Sequence, residues 1–189
     1  MRRFALPTFA LALAFVAAPA AGQGLYVMVG PSFPISDYGE YANVGIHAAG
    51  GVTFAVAEQV SLYGEAFWGQ NSHDGDTDSK TNPYGFMAGG LFNFSDGNPV
   101  DPYVFGGAGL MWHKYTAGSD SFDEDGSESA FGFQLGGGLG FDLGGLEAFT
   151  EARFFSASFE AESPSLSDES TSFLSVAFGI VIDLGGDEN

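Results

Sequence analysis

The sequence predicts an all-β fold, a closed, antiparallel, up-and-down barrel of eight strands. Three observations predict it: short segments of alternating side-chain character, links that alternate between long and short, and an unusual composition. The 189 residues include 29 Gly and 20 Phe but no Cys. Glycine favours tight turns and phenylalanine favours strands. A chain of this size without disulfides must be held together by other means, and closing a hydrogen-bonded barrel is one of them.

The N-terminal segment differs in character from the rest of the chain. Two arginines follow the first methionine, an apolar stretch continues to about Ala18, and small residues come next. This order predicts a secretory signal peptide over residues 1–22, cleaved after Gly22 or, as the alternative, after Ala20. The apolar stretch is shorter than the roughly 18 residues that a spanning helix needs. We therefore expect a signal-peptide helix followed by a single β-barrel domain over residues 23–189.

Eight segments of alternating character make up the predicted barrel. Each is close to the roughly 9–11 residues that a tilted transmembrane strand requires. They cover residues 24–34, 45–57, 60–70, 82–94, 100–115, 130–143, 146–159 and 171–184.

The links between these segments alternate in length. The links after the second, fourth and sixth segments are short, and the last two of them contain the Gly, Asn and Asp residues that tight turns favour, whereas the other links are long and polar. The long links cover residues 35–44, 71–81, 116–129 and 160–170. Short periplasmic turns opposite long extracellular loops are typical of outer-membrane barrels, and an even number of strands places both termini in the periplasm.

The side of the strands that carries bulky apolar residues indicates what surrounds the barrel. In segment 130–143 large Phe and Leu residues alternate with Gly, Gln and Asp. The charges of segments 60–70 and 146–159 also fall on one face. Eight strands enclose too little space for so many large side chains, so the apolar face is predicted to contact lipid. Aromatic girdles are expected at Phe33, Trp68, Tyr84, Phe94, Trp112, Phe131 and Phe154.

The chain from residue 23 to residue 184 resembles the small eight-stranded outer-membrane barrels of the OmpA/OmpX-like superfamily, also called porin-family proteins. The last strand carries the most specific similarity. Phe178, Gly179, Ile182 and Leu184 look like the C-terminal signal that the barrel-assembly machinery reads, although the family pattern ends in Phe. The resemblance implies that this machinery is a partner during biogenesis and that outer-membrane lipid and lipopolysaccharide surround the barrel.

Several ionisable residues are predicted to face the lumen. Glu65, Glu147, Glu151 and Arg153 share the inward face of their segments, and His47 is assigned to the lumen as well. Carboxylates in a narrow lumen are costly unless they are paired, so we expect a charge-assisted network around Arg153. We interpret it as a structural plug; the alternative is a gated or narrow polar path.

The charge balance limits the partners and ligands. The chain has 24 acidic and 5 basic residues, which argues against nucleic-acid binding. Asp74, Asp76 and Asp78 occupy alternate positions as in calcium loops, but the glycine and distal glutamate of an EF-hand are missing. We prefer the interpretation of a solvated acidic loop, and we expect neither a metal site nor a cofactor.

No catalytic motif stands out in the sequence. His47, His73 and His113 lack the spacing of a zinc site, with His73 placed in a loop and His113 near the outer rim. No residues resemble those of outer-membrane proteases or lipid A deacylases. The sequence predicts a monomeric, non-enzymatic outer-membrane barrel that supports the envelope or presents its loops for surface interaction. A narrow passive channel is the alternative, and an exported lipocalin-like binder is a third hypothesis.

Overall fold

The computed structural model describes residues 23–73, 76–94, 100–116, 127–144, 146–159 and 169–184. The predicted signal peptide lies outside these residues. The strands are β1 Gln23–Ile35, β2 Gly45–Ala57, β3 Val60–His73, β4 Asp76–Asn93, β5 Val100–Thr116, β6 Ser127–Asp142, β7 Glu147–Phe159 and β8 Glu169–Asp183. A short 3-10 helix, η1, covers Ser36–Glu40. Within the described ranges, no helix is long and apolar enough to cross a membrane.

The eight strands form one closed barrel in sequence order, which confirms the predicted fold. Each strand pairs antiparallel with the next, and β8 pairs antiparallel with β1 from Gly24↔Asp183 to Ile35↔Ser172. Closure gives every strand two hydrogen-bonded neighbours, so the sheet has no exposed edge.

The two faces of the wall differ as the alternation predicts. Phe131 and Leu135 of β6 point outward with 71% and 57% of their surface exposed, while Gln134 between them is fully buried in the lumen. The bulky apolar residues therefore cover the outside of the barrel. The inside takes small, polar and selected aromatic side chains, as expected for an interior just wide enough for packed side chains.

The two ends of the barrel are built differently. The turn end carries the links 58–59, 94–99 and 143–146 together with the start of β1 and the end of β8. Gly144 in the last of these turns has a φ of 80°, a conformation that glycine adopts without strain. The loop end carries η1 and the links 74–75, 117–126 and 160–168.

The prediction of a long loop over residues 71–81 is wrong. β3 continues to His73 and β4 begins at Asp76, with pairs such as Asn71↔Thr81 extending the hairpin. Thr81 and Asn71 both turn inward and are buried, so the period of two persists although the residues become polar. The polar residues of this segment therefore belong to strands that extend beyond the apolar, lipid-facing part of the wall. His73 and Asp78, predicted as loop residues, lie in strands, as does Asp76.

Candidate functional site

An ion-pair network occupies the middle of the lumen and is built around Arg153 of β7. Its Nη1 donates to both carboxylate oxygens of Glu65 on β3, at 2.8 and 3.0 Å. Its Nε donates to Oε1 of Glu151 at 2.5 Å, and Nη2 contacts the same oxygen. The three residues are buried, with 4 to 6% of their surface exposed. One guanidinium therefore bridges two carboxylates from strands on different sides of the barrel.

Neutral donors complete the coordination of both carboxylates. The Tyr26 hydroxyl donates to Oε2 of Glu65 at 2.7 Å, and the Tyr103 hydroxyl donates to Oε2 of Glu151 at 3.0 Å. Gln134 adds an Nε2 hydrogen bond of 2.8 Å to Oε1 of Glu65. Every oxygen of the two carboxylates thus accepts a hydrogen bond, which offsets much of the cost of burying two negative charges beside one positive charge.

Aromatic rings enclose the guanidinium. Its central carbon lies 4.9 Å from the ring centre of Phe105 and 5.6 Å from that of Phe155. Both distances fall within the range of about 6 Å in which a cation is attracted to a ring face. Phe105 also lines the turn-half cavity, whereas Phe155 belongs to the packed side chains on the loop side of Arg153.

The structure brings together only part of the predicted lumen set. Glu65, Glu151 and Arg153 join in the network, whereas Glu147 and His47 do not. Glu147 precedes Glu151 by four residues, or about 13 Å along a strand, and is exposed at the turn end. His47 is fully buried on the loop side of the network.

An apolar layer fills the lumen between the network and the loop end. The layer consists of His47, Phe67, Met111, Phe155 and Phe173. The rings of Phe155 and Phe173 stack at 4.7 Å, and that of His47 lies 5.2 Å from Phe155. His47 Nδ1 lies 3.2 Å from the Ser175 hydroxyl, and its Nε2 is buried without a hydrogen-bond partner. This half of the lumen is closed by packed side chains.

Helix η1 folds over the loop end of the barrel through Tyr38, which is fully buried. The Tyr38 hydroxyl donates to Oδ1 of Asn71 at 3.1 Å, and Nδ2 of Asn71 donates to the Asn43 carbonyl at 2.8 Å. Burial raises the pKa of the Tyr38 hydroxyl above its usual range, because the charged form loses its contact with water. The first loop is thus tied to the inside of β3.

A cavity of about 210 Å³ occupies the turn half of the lumen. Its walls include Tyr26, Tyr63, Tyr103 and Phe149, with Glu151 and Arg153 at its inner end. The cavity therefore leads from the turn half to the network, where the packed layer begins.

The remaining predicted site residues lie apart from the network. His73 Nε2 lies 2.7 Å from the Thr81 hydroxyl, and His113 Nδ1 lies 3.4 Å from the Thr171 hydroxyl across the loop end. Asp74 and the side chains of Asp76 and Asp78 fall outside the described residues. Among the side chains that the structure does describe, no group of three His, Asp or Glu could hold a metal ion.

The residues of the predicted assembly signal lie on β8 and just after it. Phe178, Ile182 and Leu184 point outward, with 65%, 49% and 45% of their surface exposed. Gly179 faces the lumen, where a Cβ would come within 2.2 Å of the Phe149 ring. This glycine lets the Phe149 ring pack against the wall.

Sequence reasoning missed three members of the network: Tyr26, Tyr103 and Gln134. The alternation of each strand places these residues inward, so the signal for their face was present. Whether these side chains lie at the same height in the barrel as Arg153 depends on the register between strands. The pattern within one strand does not reveal that register.

Residues 8–179 match the family model described as "Outer membrane protein beta-barrel domain". The chain belongs to this family. As a member of the outer membrane protein beta-barrel domain family, it is an outer-membrane protein whose apolar outer face contacts lipid. No curated protein sequence matches the chain.

A solved outer-membrane protein shares the fold. Neisserial surface protein A, NspA, superimposes with a TM-score of 0.67 at 12% identity, over 86% of this chain and 97% of that one. The N-terminal β-barrel of Pseudomonas aeruginosa OprF gives 0.49 at 15% identity, over 85% and 98%. The Ail protein of Yersinia pestis gives 0.48 at 15% identity, over 85% and 99%. At these identities the likeness to NspA concerns the fold alone.

Proposed function

We propose that this protein is a non-enzymatic, non-conducting barrel that supports the outer membrane and presents its loops at the cell surface. The observation that carries the proposal is the packed layer on the loop side of Arg153. Phe155, Phe173, Met111 and His47 are all fully buried there. Buried Tyr38 adds a second closure above them. A solute that entered from the turn half would meet packed side chains before it reached the loop end.

Conductance in planar lipid bilayers tests this proposal. We expect the wild-type barrel to insert without discrete current steps, because the apolar layer leaves no continuous water path. The double variant Phe155→Ala/Phe173→Ala removes two stacked rings from the layer and should produce steps. The matched control Phe131→Ala/Phe178→Ala removes two outward rings and should stay silent. Discrete steps from single wild-type barrels would contradict a closed lumen.

A narrow passive channel is the second candidate function, favoured by the cavity of about 210 Å³ in the turn half. In that case the network would be the constriction, and Glu151 would favour cations. Wild-type steps whose cation selectivity falls in Glu151→Gln would support the channel over the closed barrel.

We further propose that the loop end faces the cell surface and that both termini are periplasmic. Three of the four links at the loop end span nine or ten residues, at 36–44, 117–126 and 160–168, whereas the links at the turn end span two to six; this difference supports the orientation although the β3–β4 link is short. The chain has no Cys, so single cysteines report position cleanly. A membrane-impermeant maleimide on intact cells should label Glu40→Cys in η1 but not Gln59→Cys in a short turn. The reverse labelling would overturn the orientation.

Export and assembly complete the proposal. We expect residues 1–22 to be removed as a signal peptide, which the mass of the mature protein checks, and the barrel to remain a monomer. Phe178, with 65% of its surface exposed on β8, would contact the barrel-assembly machinery. Phe178→Ala should slow assembly in cells yet leave refolding in detergent unchanged, whereas equal loss in both would indicate a purely structural role.

A further inference from the structure

The basic residues of the chain are few and unevenly placed. The sequence holds 5 Lys and Arg residues against 24 Asp and Glu. Two of the five precede the described barrel, and Arg153 is enclosed in the lumen. Lys80 of β4 and Lys114 of β5 remain, and both lie on the outer face near the loop end. All the Lys and Arg charge on the described outer wall is therefore carried by these two residues.

The strand register makes Lys80 and Lys114 neighbours. Lys80 pairs with Thr116, and Asn82 pairs with Lys114. The two lysines are thus diagonal cross-strand neighbours, a relation that separates residues by about 7–8 Å and keeps long side chains in reach of each other. A single anion between them could contact both ammonium groups.

An aromatic row lies directly on the membrane side of the lysines. Trp68 pairs with Tyr84, and Tyr84 pairs with Trp112, across three adjacent strands. These are the 2 Trp residues of the whole chain. The rings of Tyr84 and Trp112 stack at 5.9 Å. Trp and Tyr concentrate at the boundary between hydrocarbon and headgroups, so this row marks that boundary on the wall.

The rows on either side of the aromatic row agree with such a boundary. Toward the middle of the barrel, Phe86 and Leu110 expose 63% and 50% of their surface. Toward the loop end, Gln70 Nε2 donates to Oδ1 of Asn82 at 3.2 Å on the same outer face. The surface thus passes from an apolar row to the aromatic row and then to a polar row of Gln70, Asn82 and Lys114, with Lys80 one row further toward the loop end.

The distances place Lys114 at headgroup depth and Lys80 beyond it, within reach of the same layer. Lys114 follows Trp112 by two residues, which is about 7 Å along the strand. The headgroup layer on each side of the hydrocarbon core is roughly 5–8 Å thick. A lysine stem can also extend along the wall while its charge seeks polar surroundings. Lys114 therefore reaches the phosphates of the adjoining leaflet. Lys80 precedes Tyr84 by four residues, about 13 Å along its strand, and reaches the same phosphates when its stem folds back toward the aromatic row.

We propose that Lys80 and Lys114 bind a phosphate of a phosphorylated glycolipid headgroup in the outer leaflet. Ammonium groups are effective phosphate ligands. The amides of Gln70 and Asn82 offer donors and acceptors to sugar hydroxyls, and Phe86 lies where the acyl chains would pack. The choice of leaflet rests on the proposed orientation of the barrel; the phosphate contact itself does not.

Reconstituted protein in vesicles tests the site. The probe is bis-phosphorylated lipid A mixed into phosphatidylcholine vesicles, and the readout is the temperature at which the folded band disappears on a gel. We expect lipid A to raise this temperature for the wild type. We expect Lys80→Gln/Lys114→Gln to lose most of that shift and to bind lipid A at least tenfold more weakly. The matched variant Lys80→Arg/Lys114→Arg keeps the charge and should keep most of the shift.

Three outcomes would overturn the site. Dephosphorylated lipid A could give the full shift, in which case phosphate is not recognised. Phosphatidylglycerol could match lipid A, in which case any anionic lipid suffices and the glycolipid is wrong. The glutamine variant could lose equal stability in phosphatidylcholine alone, in which case the lysines only support the wall. Vesicle results do not depend on orientation in the cell, so failure here is distinguishable from failure of the cysteine labelling.

Discussion

Replacing Arg153 by alanine removes the guanidinium from between Glu65 and Glu151 and leaves both carboxylates buried beside each other. Removing one partner of a buried ion pair costs about 3–5 kcal/mol. Here one side chain serves two carboxylates and also contacts the Phe105 ring, so we expect a loss in the upper half of that range. A change of about 3–5 kcal/mol is roughly a 100- to 4,000-fold shift in the folded-to-unfolded ratio.

Reversible unfolding in urea, with the barrel in detergent or lipid, measures the loss through the gel mobility of folded and unfolded bands. Compensating variants make the measurement specific for charge. Adding Glu65→Gln to Arg153→Ala removes one uncompensated carboxylate and should recover part of the stability. Adding Glu147→Gln instead should recover little, because Glu147 is exposed at the turn end.

Two results would refute the electrostatic reasoning. An Arg153→Ala barrel with unchanged urea stability would mean that water or neighbouring donors replace the guanidinium at no cost. Equal recovery from Glu65→Gln and Glu147→Gln would mean that the loss follows total charge and not the contacts of the network.

Substitutions in the wall and at the loop end test the placement of the apolar band, the tight packing around Gly107 and the anchoring of η1. Leu135→Lys, in the middle of the outer apolar band, should lower stability in lipid by about 2–4 kcal/mol, whereas Leu143→Lys at its edge should cost about 0–1 kcal/mol; equal losses would contradict the placement of the band. Gly107→Ala would place a Cβ 2.3 Å from the Tyr63 hydroxyl and should cost about 1–3 kcal/mol, while Gly64→Ala, with open space, should be near neutral in urea unfolding. Tyr38→Phe should cost about 1 kcal/mol and speed proteolysis of the first loop, and unchanged proteolysis would show that η1 does not depend on Asn71.

The inward and outward faces of the wall could be predicted from the sequence. Lipid favours bulky apolar side chains on one face, whereas the narrow lumen favours small or polar side chains on the other. The face of Phe131 and the face of Gln134 could be separated from β6 alone. The length of the β3–β4 hairpin could not, because Asn71 to Thr81 is polar on both faces and the contrast between faces disappears outside the apolar band. Strand length there depends on pairing and not on hydrophobicity.

The sequence predicts part of the network, because alternation shows which side chains of a strand point inward but not their height in the barrel. The inward face of β7 indicated Glu151 and Arg153, and that of β3 indicated Glu65. The tyrosine and glutamine donors lie on β1, β5 and β6, and their height relative to Arg153 is set by how far each strand is shifted against the next. His47 was placed in the lumen from the sequence, but its position among aromatic rings, away from the charges, depends on the same shift.

The network has a consequence for how the barrel is completed. Its contacts join residues 39, 48 and 88 positions apart, from Tyr26 on β1 to Arg153 on β7. Such distant contacts form late, since the entropy of closing long loops opposes them. A partly assembled sheet would hold Glu65 and Arg153 apart, and each would favour water over lipid. An unclosed barrel would therefore be less stable while these charges are separated. Pairing of β1 with β8, which closes the barrel, would then be the step that completes folding.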